Sequence, residues 1–447
     1  CRIMISQIIF ALLFLTAGFC FTKRILFIRR NILLGRNVDL SDRKKKRWLT
    51  MARVALGQSK MVARPVAGIL HILVYLGFVI INLEMLEIVV DGLFGTHRIF
   101  SIIPYYSVLI ASFEFLAFAV LSSCAIFLVR RHVIAIARFK SPEMGGWPSL
   151  DATIILIAEI LLMSAFLIMN AADSVAMSQD FHHYADVAVD PSAFPISGLI
   201  ASSLEGLSES TIVLIERGCW WFHIVGVLCF LVYVPYSKHF HIFLAFPNTY
   251  YSNLDEKARL DNMASVKKEV DLMMDPNADP FATPAPDDSV EPPRFGVKDA
   301  TDLTWKQLME AYSCTECGRC TSECPANITG KLLSPRKIMM NSRDRIDKIG
   351  HNIDANGGEF KPDGKSLVGS YITEEELWAC TSCQACVQAC PINISPMGII
   401  LDMRRSLIME ESKSPEPITS MFNNIENNGA PWAFPAASRG DWIQEES

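Results

Sequence analysis

Apolar residues gather into five long runs, all before residue 247, and then give way to short mixtures of apolar and charged positions. Crossing the hydrocarbon of a bilayer takes a helix of about 20 mainly apolar residues. Five such spans are predicted: Met4–Phe21, Val66–Val90, Ile103–Val129, Ala152–Met177 and Cys219–Tyr236. The first has the length of a signal peptide. However, its basic residues follow it, and no small-residue cleavage site is present, so it reads as a retained helix. Between spans four and five, "FPISGLIASSLEGLSESTIVLIERG" reads as an amphipathic helix on the outer surface or as a buried segment of the bundle. After residue 250 the chain reads as soluble. Residues 275–293 are rich in Pro, Asp and Ala, cannot bury a core, and read as an extended linker. Beyond them, "SPRKIMMNSRDRIDKIG" and "ITEEELWACTSC" read as helices.

The placement of charge gives these spans an orientation. "RILFIRRNILLGRNVDLSDRKKKRW" after span one and "RRHVIAIARFK" after span three are densely basic, whereas the loop after span two offers only Arg98. Positive residues stay on the cytoplasmic side. The N-terminus is therefore predicted outside a bacterial inner membrane, and the C-terminal half in the cytoplasm. The net charge of −6 gives no support for nucleic-acid binding.

Of 13 cysteines, eight lie in "CTECGRCTSECP", from Cys314, and "CTSCQACVQACP", from Cys380. Both spell C-x2-C-x2-C-x3-C-P, the bacterial ferredoxin pattern for a pair of [4Fe–4S] clusters, in which the fourth cysteine reaches across to the other cluster. Cys314, Cys317, Cys320 and Cys390 are thus expected on one cluster, and Cys380, Cys383, Cys386 and Cys324 on the other. Two zinc sites would use paired C-x2-C motifs and leave the third and fourth cysteines of each run unexplained. Helices in the stretch between the motifs point to a helical ferredoxin. No residue pattern suggests a hydrolytic or nucleophilic site.

The histidines extend this chemistry into the membrane. On a continuous helix, His223 and His241 share one face about 27 Å apart. His71, early in span two, falls at the depth of His241, and the two form a candidate axial pair for a b-haem; His239 is an alternative ligand at the same depth. His223 has its nearest candidate partner in His97, with His182 and His183 also in the outer loops, for a second haem or a quinone pocket. Glu84, Glu114 and Glu159 lie inside predicted spans, where carboxylates are costly and tend to be functional. Glu84 and Glu114 are the candidates for a proton path; ion-paired or protonated structural carboxyls are the alternative.

Spans two to five, with "PVAGILHILVYLGF" and "HIVGVLCFLVYVPYSKHFHIFLAFPN", resemble the cytochrome b (gamma) subunit of respiratory nitrate reductase, which binds two b-haems. The tail, including "MFNNIENNGAPWAFP", resembles the iron–sulfur part of heterodisulfide reductase. The whole is similar to membrane-type electron-transfer-flavoprotein:quinone oxidoreductases. Two departures stand out. The nitrate reductase family carries a second span-two histidine where this chain has Ile81, which leaves one or two haems open. No CCG motif follows Cys390, so a separate subunit is expected to supply catalysis.

The expected fold is mainly α, a five-helix transmembrane bundle of haem b type followed by a helical ferredoxin-like domain. Its predicted divisions are 1–60 (first span and basic loop), 61–250 (cytochrome b-like domain), 251–293 (linker), 294–410 (dicluster domain) and 411–447 (tail). The expected function is to pass electrons between a soluble cytoplasmic partner and menaquinone or ubiquinone. By resemblance, the partner is electron transfer flavoprotein or a CCG-domain subunit. Two alternatives are a membrane-tethered iron–sulfur sensor or scaffold without haem, and a subunit of a heterodisulfide-reductase-like enzyme.

Overall fold

Five helices are long and apolar enough to cross a membrane: Met4–Leu33, Pro65–Phe94, Tyr106–His132, Trp147–Ser178 and Glu209–Tyr236. The computed structural model describes the chain apart from residues 1, 182–183, 185–188, 257–258, 278–293 and 446–447, and no β-strand occurs among the described residues. The second span starts on Pro65, whose missing N–H costs nothing in a first turn, and stops at Gly95, which takes the left-handed conformation (φ 73°) that closes a helix. Phe10, Ile81, Ile110, Phe113, Ala117, Phe166 and Ile224 fill the centre of the bundle. Leu12, Leu15, Phe19, Phe115, Leu161 and Leu214 point outward, uncovered, where lipid tails would lie. Gly77 lets spans two and three approach, since a Cβ there would meet the Val120 side chain at 2.3 Å.

Three elements differ from the sequence reading, each for a physical reason. The first helix runs on to Leu33, through residues expected to form a basic loop. No helix breaker occurs before Gly35, and the arginines find partners: Arg24 bonds Asp347 at 3.0 Å and Arg30 pairs with Asp354, both on helix Pro335–Ala355. The segment between spans four and five is mostly not a surface helix. It makes one short helix, Ser197–Ala201, with both ends buried, and its last part already belongs to span five from Glu209. Finally, the helix bearing His223 ends at Tyr233, and two 3-10 turns around Pro235 precede a new helix, His241–Tyr250. Proline cannot donate the backbone bond that would continue the helix. His223 and His241 therefore stand on separate helices rather than on one straight face.

The C-terminal half packs helices Trp305–Ser313, Pro335–Ala355 and Pro396–Met409 around Leu308, Ile338, Ile346, Ile349, Ile400 and Met403. This core continues without a break onto Ile28, Val234 and Phe240 of the membrane half. The cysteine-bearing half thus sits on the end of the bundle that carries the basic loops. Within the segment read as a linker, Ala264–Met274 form a helix with no buried residue. The proline-rich stretch 278–293 lies outside the described residues.

The docking of the first helix has a close contact that can be tested. A Cβ on Gly350 would lie 2.3–2.7 Å from the amide of Asn31, a buried side chain that donates to the Tyr312 hydroxyl at 3.0 Å. Gly350→Val is expected to cost about 1–3 kcal/mol by overpacking. Limited proteolysis should then release the C-terminal half faster than from the unsubstituted protein. An unchanged rate would show that this seam does not hold the halves together.

Candidate metal centres

Each cysteine loop is shaped by the same backbone device. In the first, Glu316 (φ 55°) and Gly318 (φ 71°) are left-handed; in the second, Ser382 (φ 55°) and Gln384 (φ 61°) occupy the same two places. Non-glycine residues adopt this conformation at a cost, and matched strain in two unrelated surroundings marks a shape that function requires.

Cys314, Cys317, Cys320 and Cys390 line one cavity, together with Arg319, Arg336 and Ile394. The fourth cysteine of the second motif thereby joins the first three of the first. The Cys390 sulfur accepts the Ile394 N–H at 3.3 Å, and the Cys380 sulfur accepts the Ser382 N–H at 3.4 Å, bonds that suit a sulfur carrying negative charge. In the second group, Cys324 acts electrostatically on both Cys380 and Cys386. Burial pushes the thiols of Cys314 and Cys386 up to about 12 and that of Cys390 up to about 11. Bare thiols at these positions stay protonated, whereas iron takes thiolates and releases the protons. Among the described residues no three metal-binding side chains converge as they would on a single ion. The donor set fits a cubane, whose thiolates cap separate corners.

The first loop is tied to the membrane half. Arg319 donates to the carbonyls of Lys60 (3.1 Å) and Met61 (3.5 Å), and Arg64 donates to Ser322 at 2.7 Å. A Cβ on Gly68, one turn before His71, would fall 2.6 Å from that same Met61 carbonyl. From the other side, buried Glu316 pairs with Arg343 at 2.8 Å and with Lys238. Although burial opposes it, these two cations hold the Glu316 carboxyl below the usual carboxylate range. Lys238 immediately precedes His239.

The rings of His71 and His241 lie 6.3 Å apart, centre to centre, at 43°. Two imidazoles binding one metal from opposite faces, with bonds of about 2.0–2.1 Å, have ring centres roughly 6 Å apart. The Nδ1 of His241 faces the Lys238 carbonyl at 3.1 Å, the outer-shell bond that fixes a ligating imidazole. The Nδ1 atom of His71 is buried without a hydrogen-bond partner. These residues fit a haem. His239 stands edge-on to His241 at 5.5 Å and against Phe230 at 5.4 Å.

The other predicted pair is not brought together. His223 is buried, its Nδ1 at 3.0 Å from the Leu162 carbonyl and its ring against Phe166. His97 instead meets Asp173 at 3.0 Å and the Tyr184 ring at 5.0 Å. His182 and His183 lie outside the described residues.

Glu84 is buried with one carboxyl oxygen unpartnered. Glu114 accepts from Asn170 (3.1 Å) and from the backbone N–H groups of Ile196 (2.9 Å) and Ser197 (3.0 Å), a role that holds the inter-span segment in place. Glu159 contributes no described hydrogen bond. Sequence reading missed the most connected group here, Arg98. It is buried and donates to Asp173 at 2.5 Å, Asn170 at 2.8 Å and Tyr106 at 3.2 Å. Its position as the sole lysine or arginine between spans two and three was the available signal. Arg98→Leu leaves buried Asp173 with only the His97 ring as a partner and is expected to destabilise the folded protein by about 3–5 kcal/mol. Arg98→Lys should recover part of that loss. Thermal unfolding in detergent would show both; an Arg98→Leu variant as stable as the original would mean Asp173 is not charged.

Residues 313–394 match the 4Fe-4S dicluster domain family. With its five apolar helices, the chain is a membrane protein of the iron–sulfur electron-transfer class. It is similar to the probable iron-sulfur-binding oxidoreductase FadF of Bacillus subtilis, 27% identical over 93% of this chain and 57% of that protein. It is also similar to the EtfAB:quinone oxidoreductase of Syntrophomonas wolfei, 26% identical over 93% of this chain and 56% of that protein. A probable membrane-anchored ferredoxin of Chromohalobacter salexigens is 32% identical over 34% of this chain and 24% of its own length. The chain spans just over half the length of the first two relatives. No solved structure matches.

Proposed function

We propose that the chain carries electrons between a soluble cytoplasmic redox partner and the membrane quinone pool. Cys314, Cys317, Cys320 and Cys390 hold one [4Fe–4S] cluster, and Cys380, Cys383, Cys386 and Cys324 the other. His71 and His241 hold a b-haem, which when bound supplies one-electron storage inside the bundle. The observation that carries this reading is the pairing of Glu316, in the first cysteine loop, with Lys238, three residues before His241, whose ring faces His71. This salt bridge ties the first cysteine loop to the segment that carries His241.

In this account the protein's own groups do defined tasks. The left-handed turns aim the thiolates, Arg319 and Lys238 clamp the first loop onto the bundle, and apolar packing keeps water from the histidines. Glu84, with its unpartnered oxygen, and Glu114 are the groups offered for moving protons to and from a quinone. The basic loops lie on the same end of the bundle as the cysteine domain, which supports a cytoplasmic domain and an outside N-terminus at a bacterial inner membrane. The partner class, an electron transfer flavoprotein or a CCG-domain subunit, rests on the relatives' names and on the resemblance above.

The test is single-turnover electron transfer in membrane vesicles. After reduction of the clusters by dithionite, a menaquinone analogue should reoxidise them in the original protein and much more slowly in Lys238→Met. Equal rates with and without quinone would remove the quinone end of the proposal.

A further inference from the structure

The two cysteine sites have different surroundings, and this points to different duties. We propose that the site of Cys380, Cys383, Cys386 and Cys324 is the port for the soluble carrier. The site of Cys314, Cys317, Cys320 and Cys390 is then the relay to the membrane, and cations around it give the relay the higher potential, so that electrons run inward. This rests on the two-cluster part of the proposed function and not on the haem.

The first observation is access. Cys383 is exposed, and Trp378 and Ala379, just before Cys380, border a groove with Lys331, Glu374, Glu375 and Lys413. Ile328 and Leu332, in the loop that follows Cys324, are also uncovered. The relay site has no such face. The loop before span two covers it through Lys60, Met61 and Arg64, and the segment after span three covers it through Arg138, whose carbonyl takes a 2.7 Å bond from Arg336. A soluble carrier can approach the second site closely but meets the membrane half at the first.

The second observation is charge. Lys60 reaches the second motif's last turn, bonding the Val387 carbonyl at 3.4 Å and Asn393 at 3.0 Å, close to Cys390. Arg319 and Arg336 line the relay cavity, Arg336 pairing with Glu143 at 2.7 Å, and the Arg138 side chain packs against Gly318 of the same loop. The cavity's acid, Glu316, is already matched by Arg343 and Lys238. At the port, Arg404 donates to the Cys380 carbonyl at 2.5 Å and stacks over Trp378 at 4.9 Å, while Lys331 and Lys413 of the groove are matched in number by Glu374 and Glu375. Nearby positive charge favours the reduced, more negative cluster and raises its potential. Each transfer moves one electron and no proton. The carrier, a reduced flavoprotein, is oxidised by one electron at the port, and the port in turn reduces the relay.

The experiment is an EPR-monitored redox titration of the full chain in nanodiscs, with and without a water-soluble dysprosium chelate that broadens signals near the surface. Two cluster signals are expected, with the broadened one at the lower potential. Lys60→Gln should lower the unbroadened signal by about 59 mV, a tenfold change for a one-electron couple, and move the other by less. Arg404→Gln should move only the broadened one. Equal broadening of both signals overturns the port and relay assignment, as does a broadened signal at the higher potential. A Lys60→Gln shift as large in the broadened signal as in the other overturns the electrostatic cause. The first two results need no variant. Absence of haem would overturn the membrane path proposed above while leaving every one of these readings intact.

Discussion

Cys390→Ser is expected to abolish the cluster of the first motif, although Cys390 belongs to the second. Iron should fall from about eight to about four atoms per chain, because the cluster loses one of the four thiolates that hold it. The surviving signal should be that of Cys380, Cys383, Cys386 and Cys324. Cys324→Ser should give the reciprocal result. The reason is in the cavity that Cys390 shares with Cys314, Cys317 and Cys320, and in the Ile394 N–H that steadies its sulfur. Iron and sulfide analysis with EPR reads the outcome. Retention of the first-motif signal in Cys390→Ser would mean that each motif holds its own cluster.

The second large effect concerns the histidines. His71→Ala or His241→Ala should each remove b-haem absorbance and slow electron transfer from clusters to quinone by about 100-fold or more, since even outer-shell partners of a metal ligand are worth 10–100-fold. His97→Ala should leave that absorbance in place, because His97 is engaged with Asp173 and Tyr184. His239→Ala is the informative control. It stands against His241 rather than across from His71, so it should distort the spectrum without abolishing it. Loss of haem in His239→Ala with retention in His241→Ala would reverse the ligand assignment.

The parts legible in the sequence were those in which one physical rule decides the outcome alone. Span length and apolarity gave five membrane helices. The C-x2-C-x2-C-x3-C-P spacing pointed to two dicluster loops, now matched by a family covering residues 313–394. His71 and His241 could be paired by depth, and the structure brings them to 6.3 Å.

What escaped reading depended on contacts between distant segments. The first helix extends to Leu33 because Asp347 and Asp354, more than 300 positions later, receive its arginines. Helical periodicity over His223–His241 ignored Pro235, which was visible in the sequence. The Arg98–Asp173 pair and the Glu316–Lys238 pair join residues whose charges look ordinary on their own. They matter because burial makes each partner necessary.

A reduced-minus-oxidised optical spectrum of the purified chain, with a pyridine haemochrome count beside iron and sulfide analysis, tests the central claim most directly. The account expects a b-type α-band, about one haem held by His71 and His241, and about eight cluster irons per chain. Full iron and sulfide with no haem would contradict it, and would make the chain a ferredoxin tethered to the membrane with no electron path into it.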